Sequence, residues 1–171
     1  MRLFIALNLT NETRARLLAL QDDLRAQSAR GNFSLPENLH LTLAFLGECD
    51  ARQTVAAKKA IANVKFIPID ITIDRVGRFR RDGGDIWWAG VKETSALMSL
   101  QRDLTKQLLT AGFALERRRY SPHITLGREI VTDAAPWKIE PFGEMISRVD
   151  LMKSERVQDK LTYTAIYSKE V

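Results

Sequence analysis

Every histidine in the chain sits in one of two tetrads, His40-Leu41-Thr42-Leu43 and His123-Ile124-Thr125-Leu126. Alternate side chains of an extended strand share a face, so each His points with its Thr while the aliphatic residues turn into a core. Two such strands side by side would aim two imidazoles and two hydroxyls into one cleft. That set is enough for acid–base attack on a phosphodiester without a metal. Water needs a base to take its proton, and the departing ribose oxygen needs an acid. Imidazole titrates near ~6.5, so one ring can be neutral and its partner charged around neutral pH. Each role contributes roughly 10²–10⁴ in rate. The hydroxyls of Thr42 and Thr125 can donate to the non-bridging phosphate oxygens, most strongly as the phosphorus becomes five-coordinate. A catalytic zinc usually takes three protein ligands, one more than two histidines supply. With no Gly-rich phosphate loop, carboxylate cluster or Cys/His spacing elsewhere, no cofactor or metal is expected.

A single strand histidine is more often structural than catalytic, and Thr favours strands for reasons unrelated to chemistry. Independent core histidines have no reason to share one context, and here both do.

The elements that must position the tetrads follow from pattern. Residues 2–9 read as a buried strand. Thr10 or Asn11 can cap a helix running to about Gln27, with Leu17, Leu20 and Leu24 on one face. Gly31 and Pro36 punctuate a loop before the first tetrad strand, Leu39 to Leu46, closed by Gly47. A second helix is predicted over Ala51 to Val64, then a strand from Phe66 to Phe79 that turns at Asp82-Gly83-Gly84 into Asp85 to Val91. Thr94 can cap a third helix with Leu97, Leu100, Leu104 and Leu108 on its core face, ended by Gly112. His123 to Val131 is the second tetrad strand, and Thr132 to Pro141 a connection. Phe142 to Glu155 and Lys160 to Glu170 read as a closing antiparallel pair.

This order repeats. Strand, helix and tetrad are spaced by 36 residues from Phe4 to His40 and by 37 from Ile86 to His123. The expected fold is therefore α+β and bilobal, with two lobes related by an approximate two-fold axis, each an antiparallel sheet with packed helices. That axis would bring the tetrads together in a cleft between the lobes. Residues 1–171 are expected to form one such domain.

With 45% hydrophobic and 27% charged residues the chain has ample core and an ordinary polar surface. Its apolar stretches fall far short of a membrane span, and Met1 to Leu7 lacks the long apolar region of a signal peptide. A lone cysteine, Cys49, makes no internal disulfide and points to the cytoplasm. The net charge of +5 favours an anionic partner, with Arg75, Arg78, Arg80 and Arg81, then Arg117 to Arg119, near presumed strand ends. Nothing implies a protein partner or demands more than a monomer.

In these residues the chain resembles the 2H phosphoesterases, and more narrowly the RNA 2′,3′-cyclic phosphodiesterases formerly called 2′–5′ RNA ligases. The resemblance covers essentially the whole chain. It runs through Arg2-Leu3-Phe4-Ile5-Ala6, Pro36 to Gly47, Ser121 to Arg128, Leu151 to Glu155, and Tyr163. It implies hydrolysis of a terminal 2′,3′-cyclic phosphate to a 2′-phosphomonoester, with His40 as proton donor to O3′ and His123 as the base that activates water. It also implies that Thr42 and Thr125 hold the phosphate, and Arg128 matches a basic position of the second motif. Phe45 is a candidate base-stacking platform. It follows Thr42 by three residues, so simple alternation turns it away from the cleft unless the strand bends. Of the adjacent Trp87 and Trp88, one should face the core and the other the opposite surface. RNA 3′ ends are the expected substrate. Small cyclic nucleotides or an ADP-ribose cyclic phosphate are the alternative, and a non-catalytic module binding RNA ends is a third reading.

Overall fold

Leu3 to Leu7 form an unbroken apolar run with no helical spacing. In the computed structural model, which describes residues 1–171, they lie in strand β1 (Arg2–Asn8), buried on both faces. The Thr10 hydroxyl accepts from the Thr13 N–H at 3.4 Å and opens helix α1 (Asn11–Ala26). Strand β2 (Ser28–Phe33) and a 3-10 turn over Pro36–Asn38 lead into β3 (His40–Glu48). A capping box of Asp50 and Gln53 starts α2 (Ala51–Asn63). The hairpin β4 (Ile69–Phe79) and β5 (Asp85–Val91) precedes α3 (Ser95–Thr110), which Thr94 caps. The chain closes with β6 (His123–Thr132), β7 (Trp137–Ile146), β8 (Arg148–Val157) and β9 (Lys160–Glu170).

Two antiparallel sheets result, ordered β3-β1-β8-β9 and β2-β6-β5-β4-β7. Set β2 aside and the two orders correspond strand for strand. Each tetrad strand lies beside an apolar strand, β3 on β1 and β6 on β5, as the repeat predicts. The lobes are stitched by their helices. Helix α1 leaves β1 of the first sheet yet packs on β2, β6 and β7 of the second, while α3 leaves β5 and packs on β3, β4 and α2. One cluster of 33 buried residues, including Ile5, Leu41, Leu100, Ile71 and Leu126, draws on both sheets and all three helices. The fold is the bilobal α+β class expected, and β3 and β6 approach one another where the lobes meet.

Four boundaries differ from the sequence pattern. Residues 28–33, expected as loop, form an edge strand held by its pairing to β6 rather than by an apolar face. The stretch expected as one strand from Phe142 to Glu155 is divided at Ser147. Its first part completes β7 against β4 in the second sheet, and its second part is β8 between β1 and β9 in the first. The expected connection over 132–141 is shorter, because β7 already begins at Trp137. Pro141 is tolerated there since β7 is an edge strand. Strand β4 starts at Ile69, just after Pro68, and not at Phe66.

The junction also depends on one buried amide. Gln21 on α1 is 3% exposed and donates from Nε2 to the carbonyls of Ser34 at 2.8 Å and Leu126 at 3.0 Å. Replacing it with an apolar residue strands the Ser34 carbonyl and leaves that of Leu126 with the Ser34 N–H alone. Gln21→Leu is expected to lower unfolding free energy by about 1–3 kcal/mol, read from urea denaturation. An unchanged midpoint would show that those carbonyls do not depend on α1.

Candidate active site

His40 and Thr42 share one face of β3, and His123 and Thr125 share one face of β6, while Leu41, Leu43, Ile124 and Leu126 are buried behind them. A bulge follows the threonine of each tetrad. On β3, Ala6 faces Thr42 but Ile5 faces Ala44, so the chain gains one residue and Phe45 comes opposite Phe4. Phe4 packs on His40, which puts Phe45 on the histidine face, 67% exposed and 6.2 Å ring to ring from Phe4. On β6, Trp88 faces Thr125 but Trp87 faces Gly127, and the extra residue turns exposed Arg128 to the histidine face. The bend that alternation required at Phe45 is present in both lobes at the same offset from the His.

Both imidazoles are held alike. His40 Nδ1 lies 2.7 Å from the Asn38 carbonyl and His123 Nδ1 lies 2.6 Å from the Ser121 carbonyl. A carbonyl only accepts, so Nδ1 carries the proton and Nε2 is the basic nitrogen of each neutral ring. The Thr42 hydroxyl sits 2.7 Å from His40 Nε2 and donates to it. The residue between anchor and ring is extended at Leu39, with φ −70° and ψ 120°, and is Pro122 in the second lobe, its φ set by its own ring. The first anchor is itself pinned to the β8–β9 hairpin. Asn38 Nδ2 donates to the Leu161 carbonyl at 2.9 Å, and Glu37 pairs with Lys160 at 2.7 Å.

Aromatic rings wall each histidine. Phe4 and Tyr163 lie 4.9 and 5.3 Å from His40, Tyr163 edge-on at 85°. Phe79 stands edge-on to His123 at 5.1 Å and 89°, and Trp88 lies 6.1 Å away. Trp87 is the core member of its pair, fully buried, and Trp88 the cleft member. Trp88 can lie flat because Gly77 is beneath it; a Cβ there would come 2.3 Å from the indole. Tyr120, three residues before His123, donates its hydroxyl to the Thr42 carbonyl at 2.7 Å and ties the two tetrads together. Burial pushes its phenol well up, so it stays a donor. Pattern offered no sign of Tyr120, Phe4 or Phe79, since each acts through a partner distant in sequence.

Burial sets the electrostatics. Desolvation lowers His40 to about 4, helped by the charges of His123, Arg14 and Arg128 and opposed by the Asn38 carbonyl. His123 is lowered too, first by desolvation and then by Arg128, against the Ser121 carbonyl. Arg128 thus acts on both rings, and both are neutral at pH 7. The structure brings together the pair of histidines, the pair of threonines, Phe45 and Arg128. Arg75 instead pairs with Asp74 at 2.8 Å and Arg119 with Glu93 at 3.0 Å.

Two antiparallel lobes that each present a His-x-Thr strand at their junction define the class, a 2H-type phosphoesterase fold. The family model described as LigT-like phosphoesterase matches residues 7–88. An RNA 2′,3′-cyclic phosphodiesterase of Archaeoglobus fulgidus is 31% identical over 152 residues, covering 85% of this chain and 85% of that protein. One from Geobacillus stearothermophilus is 35% identical over 136 residues, 74% of this chain but only 41% of its relative's length. The crystal structure of Escherichia coli LigT complexed with 3′-AMP superposes with a TM-score of 0.87 at 25% identity, covering 99% of this chain and 97% of that one. The chain belongs to the LigT-like phosphoesterase family of the 2H superfamily.

Gly77→Ala is expected to lift Trp88 off the strand beside His123, with a stability loss of about 1–3 kcal/mol and a shifted tryptophan emission. Identical emission and midpoint would mean that the indole does not need the glycine.

Proposed function

We propose that the protein hydrolyses the 2′,3′-cyclic phosphate at RNA 3′ ends to a 2′-phosphomonoester, using His40 and His123 as acid and base and no metal. The observation that carries this is the matched pair of imidazoles at one junction, each with Nδ1 fixed on a backbone carbonyl so that Nε2 is the reactive nitrogen, that of His40 taking the Thr42 hydroxyl at 2.7 Å. The names carried by the relatives support the substrate. Around the two imidazoles the site's side chains are aromatic, hydroxyl and cationic, and no group of three or more His, Cys, Asp or Glu converges, so a divalent ion would lack a third strong ligand.

Water attacks phosphorus opposite O3′, and His123 Nε2 takes its proton. The P–O3′ bond breaks, and His40, protonated at Nε2, gives that proton to the leaving oxygen. Arg128 and the hydroxyls of Thr42 and Thr125 bind the non-bridging oxygens, where negative charge grows in the transition state. Phe45 offers its exposed ring to the terminal base. One chain supplies both histidines, so a monomer of residues 1–171 suffices. The free, buried thiol of Cys49 fits a reducing compartment such as the cytoplasm. No helix is long and apolar enough to cross a membrane.

The neutral His40 must acquire its proton to act. A bound phosphodiester places an anion beside the ring and favours the imidazolium, so the pKa in the complex lies above the value of about 4 in the free protein. The alkaline limb, where the acid is lost, is therefore expected at higher pH in kcat than in kcat/KM. Coincident alkaline limbs would remove His40 from the acid role.

The direct test is turnover in EDTA of an RNA bearing a cyclic phosphate end, with product mapping. A 2′-monoester is expected, and His40→Ala and His123→Ala should each lower kcat by roughly 10²–10⁴ without loss of fold. Loss of turnover in EDTA restored by a divalent metal would overturn the metal-free mechanism. Turnover of nucleoside cyclic phosphates alone would move the substrate to small cyclic nucleotides. Binding of RNA ends without turnover would make the protein a binding module.

A further inference from the structure

Three arginines are half-buried: Arg14, Arg75 and Arg78. Two have visible employment. Arg75 pairs with Asp74 at 2.8 Å and lies over Trp88, while Arg78 donates to the Ala134 carbonyl at 2.9 Å and faces Asp85. Arg14 has none. Its guanidinium meets no carboxylate, carbonyl or ring, and its Nε is buried without a hydrogen-bond partner. Taking a guanidinium nitrogen from water without a partner costs free energy that the fold does not recover elsewhere. A half-buried, uncommitted cation with a buried, unpartnered Nε is what an anion site looks like.

Its place can be fixed from the elements around it. Arg14 is in the first turns of α1, which the chain enters directly after Asn8, the residue that faces His40 across the β1–β3 ladder. Gln21, two turns further along the same side of the helix, reaches the carbonyls of Ser34 and Leu126. That side of α1 therefore looks onto the segment that leads into His40 and onto β6 beside Thr125. The nearby acids are already engaged: Glu37 holds Lys160 at 2.7 Å, and Glu144 accepts from the Thr10 hydroxyl at 2.8 Å. The charge of Arg14 acts on His40 and Glu37, whereas that of Arg128 acts on both imidazoles. Arg128 thus lies within reach of both rings, and Arg14 within reach of His40 alone.

We propose that Arg14 anchors a second phosphate, the phosphodiester on the 5′ side of the terminal nucleotide, and so gives the site its preference for an RNA chain over a cyclic mononucleoside. This rests on the hydrolysis proposed above, with His40 on the leaving-oxygen side. O3′ stays attached to the ribose when P–O3′ breaks, so ribose and upstream chain must lie on His40's side of the phosphorus. The next anion along that chain is the 5′ phosphodiester, and Arg14 is the uncommitted cation there. Its planar fork suits two phosphate oxygens at once.

The test compares a nucleoside 2′,3′-cyclic phosphate lacking any 5′ phosphate with a dinucleotide ending in the same group. In Arg14→Gln the ratio of kcat/KM for dinucleotide over mononucleoside is expected to fall about tenfold or more, mainly through KM for the dinucleotide. The salt dependence of dinucleotide KM should weaken by about one ion, and Arg14→Lys should restore part of the ratio. Equal losses on both substrates would overturn the proposal, since Arg14 would then serve the scissile phosphate or the fold. An unchanged ratio would overturn it as well. Should the wild-type protein turn over neither substrate, the hydrolysis fails, and calorimetric titration decides Arg14 separately. The probes are a nucleoside 2′-phosphate and a dinucleotide with a terminal 2′-phosphate. A preference for the dinucleotide that Arg14→Gln erases supports the anchor, and one it leaves intact overturns it.

Discussion

Each imidazole in this protein is bonded through Nδ1 to the carbonyl two residues before it, and the junction is built around that constraint. The bond does two jobs at once. It settles which ring nitrogen carries the proton, leaving Nε2 as the reactive atom, and it offsets part of the desolvation that burial among aromatic rings imposes. A ring free to flip would present either nitrogen, and the geometry of proton transfer would be lost. The backbone must therefore be held at Leu39 and Pro122, and the residues before them must not move. The 3-10 turn at Pro36–Asn38, its clamp on the β8–β9 hairpin and the Tyr120 bond to Thr42 all keep the two carbonyls in place.

The duplicated frame produces sameness where the chemistry is shared and difference where it is not. Both lobes repeat the anchor, the ring, the threonine two residues on and a bulge beyond it. At the residue each bulge delivers, the lobes diverge: Phe45 is an aromatic surface and Arg128 a cation. Two identical strands would suit a symmetric ligand. The nucleotide end proposed as substrate has a base on one side of the phosphorus and water on the other, and the two bulges give the strands unlike ends to match. The walls differ too, with Phe4 and Tyr163 around His40 and Phe79 and Trp88 around His123.

Much of this was legible in the chain. Apolar runs, capping residues and the Asp82-Gly83-Gly84 turn marked most elements because their signals are local, and the repeated tetrad revealed the duplication. What escaped was whatever depends on a distant partner. Strand β2 has no apolar alternation and exists only because β6 offers an edge. The break at Ser147 moves the chain from one sheet to the other without a glycine or proline to mark it. A bulge is a mismatch between two strands, so neither Phe45 nor Arg128 could be placed from its own strand's period. Tyr120 and Arg14 lie in stretches whose composition is ordinary, and only the packed structure shows one bridging the tetrads and the other left without a partner.

Burial depresses the basicity of both histidines, and the unpaired arginines add to it. Burial opposes a proton on His40 first, and the field of Arg14 and Arg128, which have no carboxylate to neutralise them, opposes it further. Empty, the cleft holds cations at its rim and neutral rings within. In the hydrolysis proposed above, an arriving phosphodiester would be drawn by that field and cancel it, and the same cancellation would make the imidazolium tolerable. On that proposal, binding the anion and charging His40 are linked, as any two ligands are when each lowers the cost of the other. A carboxylate beside either arginine would stabilise the empty protein and favour the proton on His40 in advance. It would also remove the coupling by which a bound phosphate, rather than free solution, determines when the acid is ready.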